Sequence, residues 1–197
     1  MTIRGAAHIA GVYEHPDRTI PDRTIPQIHR EVALGALADA GLTMADVDAY
    51  YSAGDAPGFG LLSMIDYLGL DVRHVDDTET GGSSYLVHVR HAAEAIAAGH
   101  IDVALITLAG NPRSGGAPPG GSGRSSAAPE SNFESFFGMG VVGGYAMAAQ
   151  RHMYEFGTTS AQLAEIKVAA STHAQHNEHA FLRDVVTVDE VLESRLV

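Results

Sequence analysis

The spacing of apolar residues divides the chain into short α/β elements. Residues 6–13 (AAHIAGVY) read as a short buried strand. Ile28, Val32, Ala36 and Ala40 follow at i, i+4 spacing with Ala33 and Leu37 beside them, which makes one stripe of a helix, and Gly41 stands where a helix-ending glycine belongs. Thr43 and Asp46 are spaced as a capping box, with a strand expected near Val47–Ser52. Residues 60–69 predict a short helix and 71–77 a strand. Two glycines and two serines then open a long alanine-rich helix over roughly 83–98, which Gly99 ends. The run IDVALITLA (101–109) is almost unbroken, as in a strand covered on both faces. Strand, glycine turn, helix and buried strand read as a βαβ unit joining two adjacent parallel strands, so the class is α/β.

The pattern then changes. Residues 110–132 are dominated by Gly, Pro, Ser and Ala without apolar period, as in a long mobile loop or lid. Residues 139–155 read as helical, and Gly157 breaks the run. Thr159 with Gln162 starts a further helix, and Thr187 with Glu190 caps a last one, in which the chain stops without closing a final strand. That ending suggests an incomplete fold. The organisation is therefore 1–110 as an α/β core, 111–138 as a Gly/Pro/Ser-rich loop, and 139–197 as a helical continuation. The pentapeptide PDRTI at 16–20 recurs at once at 21–25. It is too short for a structural repeat and reads as the lengthening of an exposed loop.

Composition narrows the function classes. Apolar residues make up 45% of 197 positions, as in a globular protein. No apolar run reaches the roughly 18–20 residues of a membrane helix, and the N-terminus lacks the pattern of a signal peptide. A soluble cytoplasmic protein is expected. The net charge of −12, with no basic stripe, argues against nucleic acid. Cysteine is absent, which excludes disulfides, thiolate metal sites and a cysteine nucleophile. His173, His176 and His179 recur every third residue near a helix end, but rotation of about 100° per residue separates the first from the third, so a solvated polar helix end is the simpler reading and no metal site is assigned. His88 and His91 lie one turn apart on the alanine-rich helix, placed for the core, a dimer contact or, for His88, a pocket. The GGSS turn lacks a Walker lysine, which argues against nucleotide hydrolysis.

The segment GGSSYLVHVRHAAEAIAAGHIDVALITLAG resembles the thiolase elbow, a cysteine at the head of an alanine-rich helix followed by a buried strand and a glycine turn. RHMYEFGTT and AQLAEIKVAASTHAQHNEHAFLRDVVTVDEVLESRLV resemble the same neighbourhood in the sterol-carrier, lipid-transfer type of thiolase. The resemblance spans nearly the whole chain and implies a thiolase-like fold: an N-terminal βαβαβ half with an inserted loop region, the second half being missing. It puts the nucleophile position on Gly82, followed by Ser83 and Ser84, with Tyr85 where the family has a glycine.

Ordinary cysteine-dependent Claisen chemistry is then excluded for this chain alone. Three readings of residues 81–85 remain. The turn shapes an acyl-CoA pocket, with Gly81, Gly82, Ser84, Tyr85 and His88 as substrate-binding residues and backbone N–H groups polarising a carbonyl. Ser83 or Ser84 reacts, Ser83 being the catalytic candidate. Or the glycines permit a tight turn and a serine caps the helix. The resemblance implies acyl-CoA as substrate or ligand, no further cofactor, and a homodimer with residues 74–79 near the twofold axis. Arg113 and Arg124 of the loop are candidates for CoA phosphates. The expected function is a thiolase-like acyl-CoA protein of lipid or steroid metabolism. Either it is an enzyme, a thiolase-like acyltransferase or a retro-aldol lyase with an OB-fold and zinc-ribbon partner, or it is a non-catalytic acyl-CoA or lipid-binding protein or scaffold subunit.

Overall fold

The computed structural model describes residues 3–54, 56–112, 114, 133 and 141–195. The chain forms two compact units, residues 1–115 and 116–197. The expected loop at 111–138, with Arg113 and Arg124, lies outside the described residues apart from Asn111, Pro112, Ser114 and Phe133.

In the first unit α1 runs over Ile25–Ala40, a 3₁₀ turn over Met44–Asp46, β1 over Ala49–Tyr51, α2 over Leu61–Leu68, β2 over His74–Asp76, α3 over Ser84–Ala97 and β3 over Ala104–Ile106. The three strands are parallel in the order β2-β1-β3, with Ala49 opposite both His74 and Ala104. Alternation of side chains along the strands sorts the core into two layers. Tyr50 and Leu105 meet Ala33 and Leu37 of α1 and Leu61, Met64 and Leu68 of α2. Ala49 and Tyr51 meet Ala92 and Ala95 of α3 and Ile101 on the opposite face. β1 is buried throughout because it is the central strand, whereas β3 is only half-buried at its two outer residues.

This corrects one sequence expectation. α3 links β2 to β3, which are parallel but not adjacent: β1 lies between them, and the neighbouring βαβ pair is β1-α2-β2. Ala49 and Tyr51 supply the surface over which α3 crosses.

Three further differences have local causes. Residues 6–13 form no strand. Gly11 sits so close to α1 that a Cβ there would lie 2.2 Å from the Ala36 carbonyl oxygen, and Tyr13 occupies the place a side chain at Gly35 would need. Val12 N–H donates to Asp39 Oδ2 at 2.9 Å, so this amide is satisfied by α1 and not by the sheet. The expected stripe on α1 faces inward, with Ile28, Ala33 and Leu37 buried and Val32, Ala36 and Ala40 half-buried, and His29 joins it because its buried partner Thr107 draws it inward. The PDRTI duplication does more than lengthen a loop. Its first copy buries Ile20 against Ile28 and Ala109. Its second supplies Thr24, which caps α1 in a reciprocal box with Gln27 ahead of Pro26.

In the second unit α4 spans Val141–Phe156, α5 Ser160–Ala174 and α6 Val188–Leu192. Gly157 follows α4 with φ +70°, and capping boxes start α5 (Thr159, Gln162) and α6 (Thr187, Glu190). The buried Ser171 hydroxyl donates to Val168 O at 2.7 Å and accepts from Val186 N at 3.1 Å, joining α5 to the lead-in of α6. Among the described residues no helix is long and apolar enough to cross a membrane.

Candidate functional site at the head of α3

Parallel strands place their carboxyl ends on one edge of the sheet, where α/β folds bind ligands. Three loops gather there: Ser52–Gly54 after β1, residues 77–83 after β2, and Thr107–Gly110 after β3. Their floor is polar and buried. Thr107 Oγ1 shares hydrogen bonds of 2.8 Å with both His29 Nδ1 and Tyr50 Oη, while the Thr107 carbonyl accepts from Ser52 Oγ at 3.0 Å.

The elbow that heads α3 is built by Gly81 and Glu79. Gly81 has φ +70°, a conformation that a side chain disfavours, and it turns the chain into the helix. Glu79 was not singled out from sequence, yet its carboxylate organises the turn. Oε1 accepts from Gly81 N–H at 2.7 Å and lies 3.1 Å from the Ser84 hydroxyl; Oε2 accepts from Gly54 N–H at 2.7 Å. The loops after β1 and β2 are therefore joined through one side chain. The sequence signal was an acid two residues ahead of a glycine turn, but its Gly54 partner lies 25 positions away.

Gly82 and Ser83 are exposed beside it. A Cβ built at Gly82 meets no atom of the described residues within 4 Å, at the position where the resemblance puts a nucleophile. Ser83 Oγ donates to Thr80 O at 3.1 Å and lies 3.3 Å from Thr80 Oγ1, contacts that supply no base. Ser83 occupies the N-cap of α3 without a side-chain cap bond, so the expected serine cap is not formed there. Ser84 is buried instead, accepts Thr80 N–H at 2.8 Å and donates to Gly81 O at 2.7 Å.

Tyr85 and His88 lie behind the elbow. His88 is fully buried, with its ring 5.7 Å from Tyr85 and 5.9 Å from Tyr51. Its Nε2–H donates to Thr78 O at 3.0 Å. Burial, with Asp76 and Asp48 adding to it, pushes the Tyr51 hydroxyl up to about 12, which keeps it neutral. His91 separates from His88 and donates from Nδ1 to Asp76 Oδ2 at 2.5 Å. Burial opposes ionisation of Asp76, but the Thr78 hydroxyl and His91 outweigh it and hold the carboxyl below its ordinary range. The structure thus brings Gly81, Gly82 and Ser83 together at the exposed turn, buries Ser84 under it and places the half-buried Tyr85 and the buried His88 on the helix that follows. His173, His176 and His179 are exposed at the end of α5, and no three-ligand metal cluster occurs among the described residues.

Comparison with known proteins agrees with this geometry. No family model matches the sequence. The chain is 32% identical over 173 residues to an acetyl-CoA acetyltransferase of Methanothermobacter thermautotrophicus, covering 85% of this chain and 44% of that one. It is 29% identical over 201 residues to a steroid side-chain-cleaving aldolase of Thermomonospora curvata, covering 98% and 51%. Among solved structures, the Ltp2-ChsH2(DUF35) aldolase superposes with a TM-score of 0.80 at 26% identity, covering 96% of this chain and 49% of that one. The chain spans about half the length of the curated relatives it matches. A glycine-turned elbow at the head of an alanine-rich helix, a parallel sheet beneath it and these likenesses together identify the chain as a thiolase-like protein.

Proposed function

We propose that the elbow at the head of α3 serves a thiolase-like lyase that cleaves a β-hydroxyacyl-CoA thioester by a retro-aldol reaction. The observation that carries this reading is Gly82: the position where the resemblance puts the nucleophile has no side chain, a Cβ there would meet no atom within 4 Å among the described residues, and beside it stands a serine whose bonds supply no base. Covalent acyl transfer has nothing to start from there. Retro-aldol cleavage needs none. The substrate hydroxyl loses its proton, the Cα–Cβ bond breaks with its electrons passing to the thioester, and the enolate is protonated at carbon. A carbonyl compound and a shortened acyl-CoA result. The likeness to a steroid side-chain-cleaving aldolase over almost the whole chain supports the choice.

A partner subunit belongs to the proposal, since the aldolase neighbour is a complex with a DUF35 chain; an acyl-CoA-binding OB-fold and zinc-ribbon subunit is the kind expected. A homodimer paired near residues 74–79 belongs to it as well, and sedimentation of a clean monomer would count against that part. The decisive experiment incubates the protein with β-hydroxyacyl-CoA and β-ketoacyl-CoA, with and without a DUF35 subunit, and follows the acyl-CoA products. Cleavage of the hydroxy substrate alone is expected. Saturable binding of both without turnover would replace the lyase with an acyl-CoA carrier.

A further inference from the structure

We infer that the apolar slot between the outer edge of β3 and residues 7–12 receives one β-strand of further polypeptide, and that this strand extends the sheet. A cavity of about 400 Å³ lies between the two. Ala36 and Ala40 of α1 line it on one face of the sheet, and Val89 and Ala93 of α3 on the other. The slot therefore continues both layers of the core past the edge strand. Ile9 and Val12 stand exposed on its far wall.

The backbone of both walls says what fits. Ala49 N–H donates to Val103 O at 3.1 Å and Thr107 N–H to Tyr51 O at 3.2 Å, so Val103, Leu105 and Thr107 turn their peptide groups toward β1. Alternation turns those of Ala104 and Ile106 the other way, toward the slot, where they have no partner among the described residues. On the far wall Asp39 holds the Val12 amide, but the amides of residues 7–11 have no partner among the described residues. The two walls do not pair with each other. An open row of this kind is a template for another strand. The two edges of one strand would serve both walls, and its alternate side chains would enter the two apolar layers. An acyl chain would fill the space and pair with neither wall. The relatives indicate a source. This chain spans 44% and 51% of two of them, so a comparable length of polypeptide lies outside the match. The occupant assigned here is a strand from that stretch, whether or not the elbow serves a lyase.

Two measurements on the 197-residue chain test this. By residue-resolved amide exchange, Ala104 and Ile106 should exchange faster than Leu105 and Thr107 by about 10-fold or more in the chain alone. Labelled synthetic peptides of about 10 residues, overlapping along the part of the Thermomonospora curvata aldolase outside the match, are then followed by fluorescence anisotropy. At least one should bind saturably and slow exchange at Ala104, Ile106 and alternate amides of residues 7–11. Ala93→Arg puts a charge into the slot and should weaken that peptide by about 10-fold or more. Val89→Lys makes the same comparison if Ala93→Arg lowers the thermal midpoint. Four results overturn the inference. Ala104 and Ile106 protected in the chain alone would mean that the chain closes the slot itself. A dimer in sedimentation that Ala93→Arg dissolves would put a second copy there. Saturable binding of palmitoyl-CoA that Ala93→Arg abolishes would put an acyl chain there. The fourth is that no peptide binds, or that the bound one is indifferent to both substitutions. None of these results bears on retro-aldol cleavage at the elbow, which the acyl-CoA product assay reads separately.

Discussion

Replacing Thr107 with valine isolates the polar floor beneath the site. Valine keeps the shape and β-branching of threonine but has no hydroxyl. Thr107 is buried, and its Oγ1 lies 2.8 Å from both His29 Nδ1 and Tyr50 Oη, which are themselves fully buried. Each hydrogen bond lost costs about 0.5–1.5 kcal/mol, so the two together should cost about 1–3 kcal/mol. Thr107→Ser retains the hydroxyl and loses only a methyl, which should cost about 1 kcal/mol. Urea unfolding followed by near-ultraviolet circular dichroism reports on the buried tyrosines, Tyr50 and Tyr51. The valine variant should unfold at distinctly lower urea than the serine variant, with the slope unchanged. A valine variant as stable as the serine variant would refute the argument that the hydroxyl holds these three elements together.

Three other outcomes are expected. Asp48 should make the protein acid-sensitive. Burial raises its carboxyl, but the amides of Asp102 and Val103 and the Arg73 guanidinium outweigh burial and hold it below its ordinary value. Stability from Asp48 is then complete above the unfolded value of about 3.9 and lost as pH falls through the lower folded value; Asp48→Asn should flatten that acid limb in pH-jump unfolding. Gly35→Ala would bring a Cβ 2.3 Å from the Tyr13 ring, so it should release the N-terminal segment and cost about 1–3 kcal/mol, seen as faster proteolysis before Ile25. Gly81→Ala should cost about 1 kcal/mol because of its positive φ, whereas Gly82→Ala, in open space, should stay within about 0.5 kcal/mol by thermal unfolding.

What could be read from the sequence was what is decided locally. Capping boxes at Thr43, Thr159 and Thr187 and the glycine that ends α1 depend on residues three or four apart, and all appear where the spacing puts them. Thr24 with Gln27 carried the same signal but was obscured by the duplication that contains it. The elbow at Gly81–Ser84 was visible as punctuation before an alanine-rich run. Hidden were the facts set by distant partners. His29 turns inward because of Thr107, 78 positions later; residues 6–13 alternate like a strand but lie on α1 because Gly11 and Gly35 allow close approach. Nothing near Glu79 in the sequence discloses Gly54.

The Glu79 contacts also bear on why an elbow of this kind need not hold a thiol. The N–H groups at a helix head favour an anion, and in a cysteine-bearing elbow that anion is a thiolate or an oxyanion. In this chain a donor of the turn already holds one, since Gly81 N–H donates to Glu79 Oε1. A second negative charge at Gly82 would be opposed by that carboxylate. A carboxylate in that place works against forming a nucleophilic anion. The missing side chain at Gly82 and the acid at position 79 are therefore two parts of one arrangement, and restoring a thiol by Gly82→Cys should yield a poorly ionised, slowly alkylated cysteine unless Glu79 is neutralised as well.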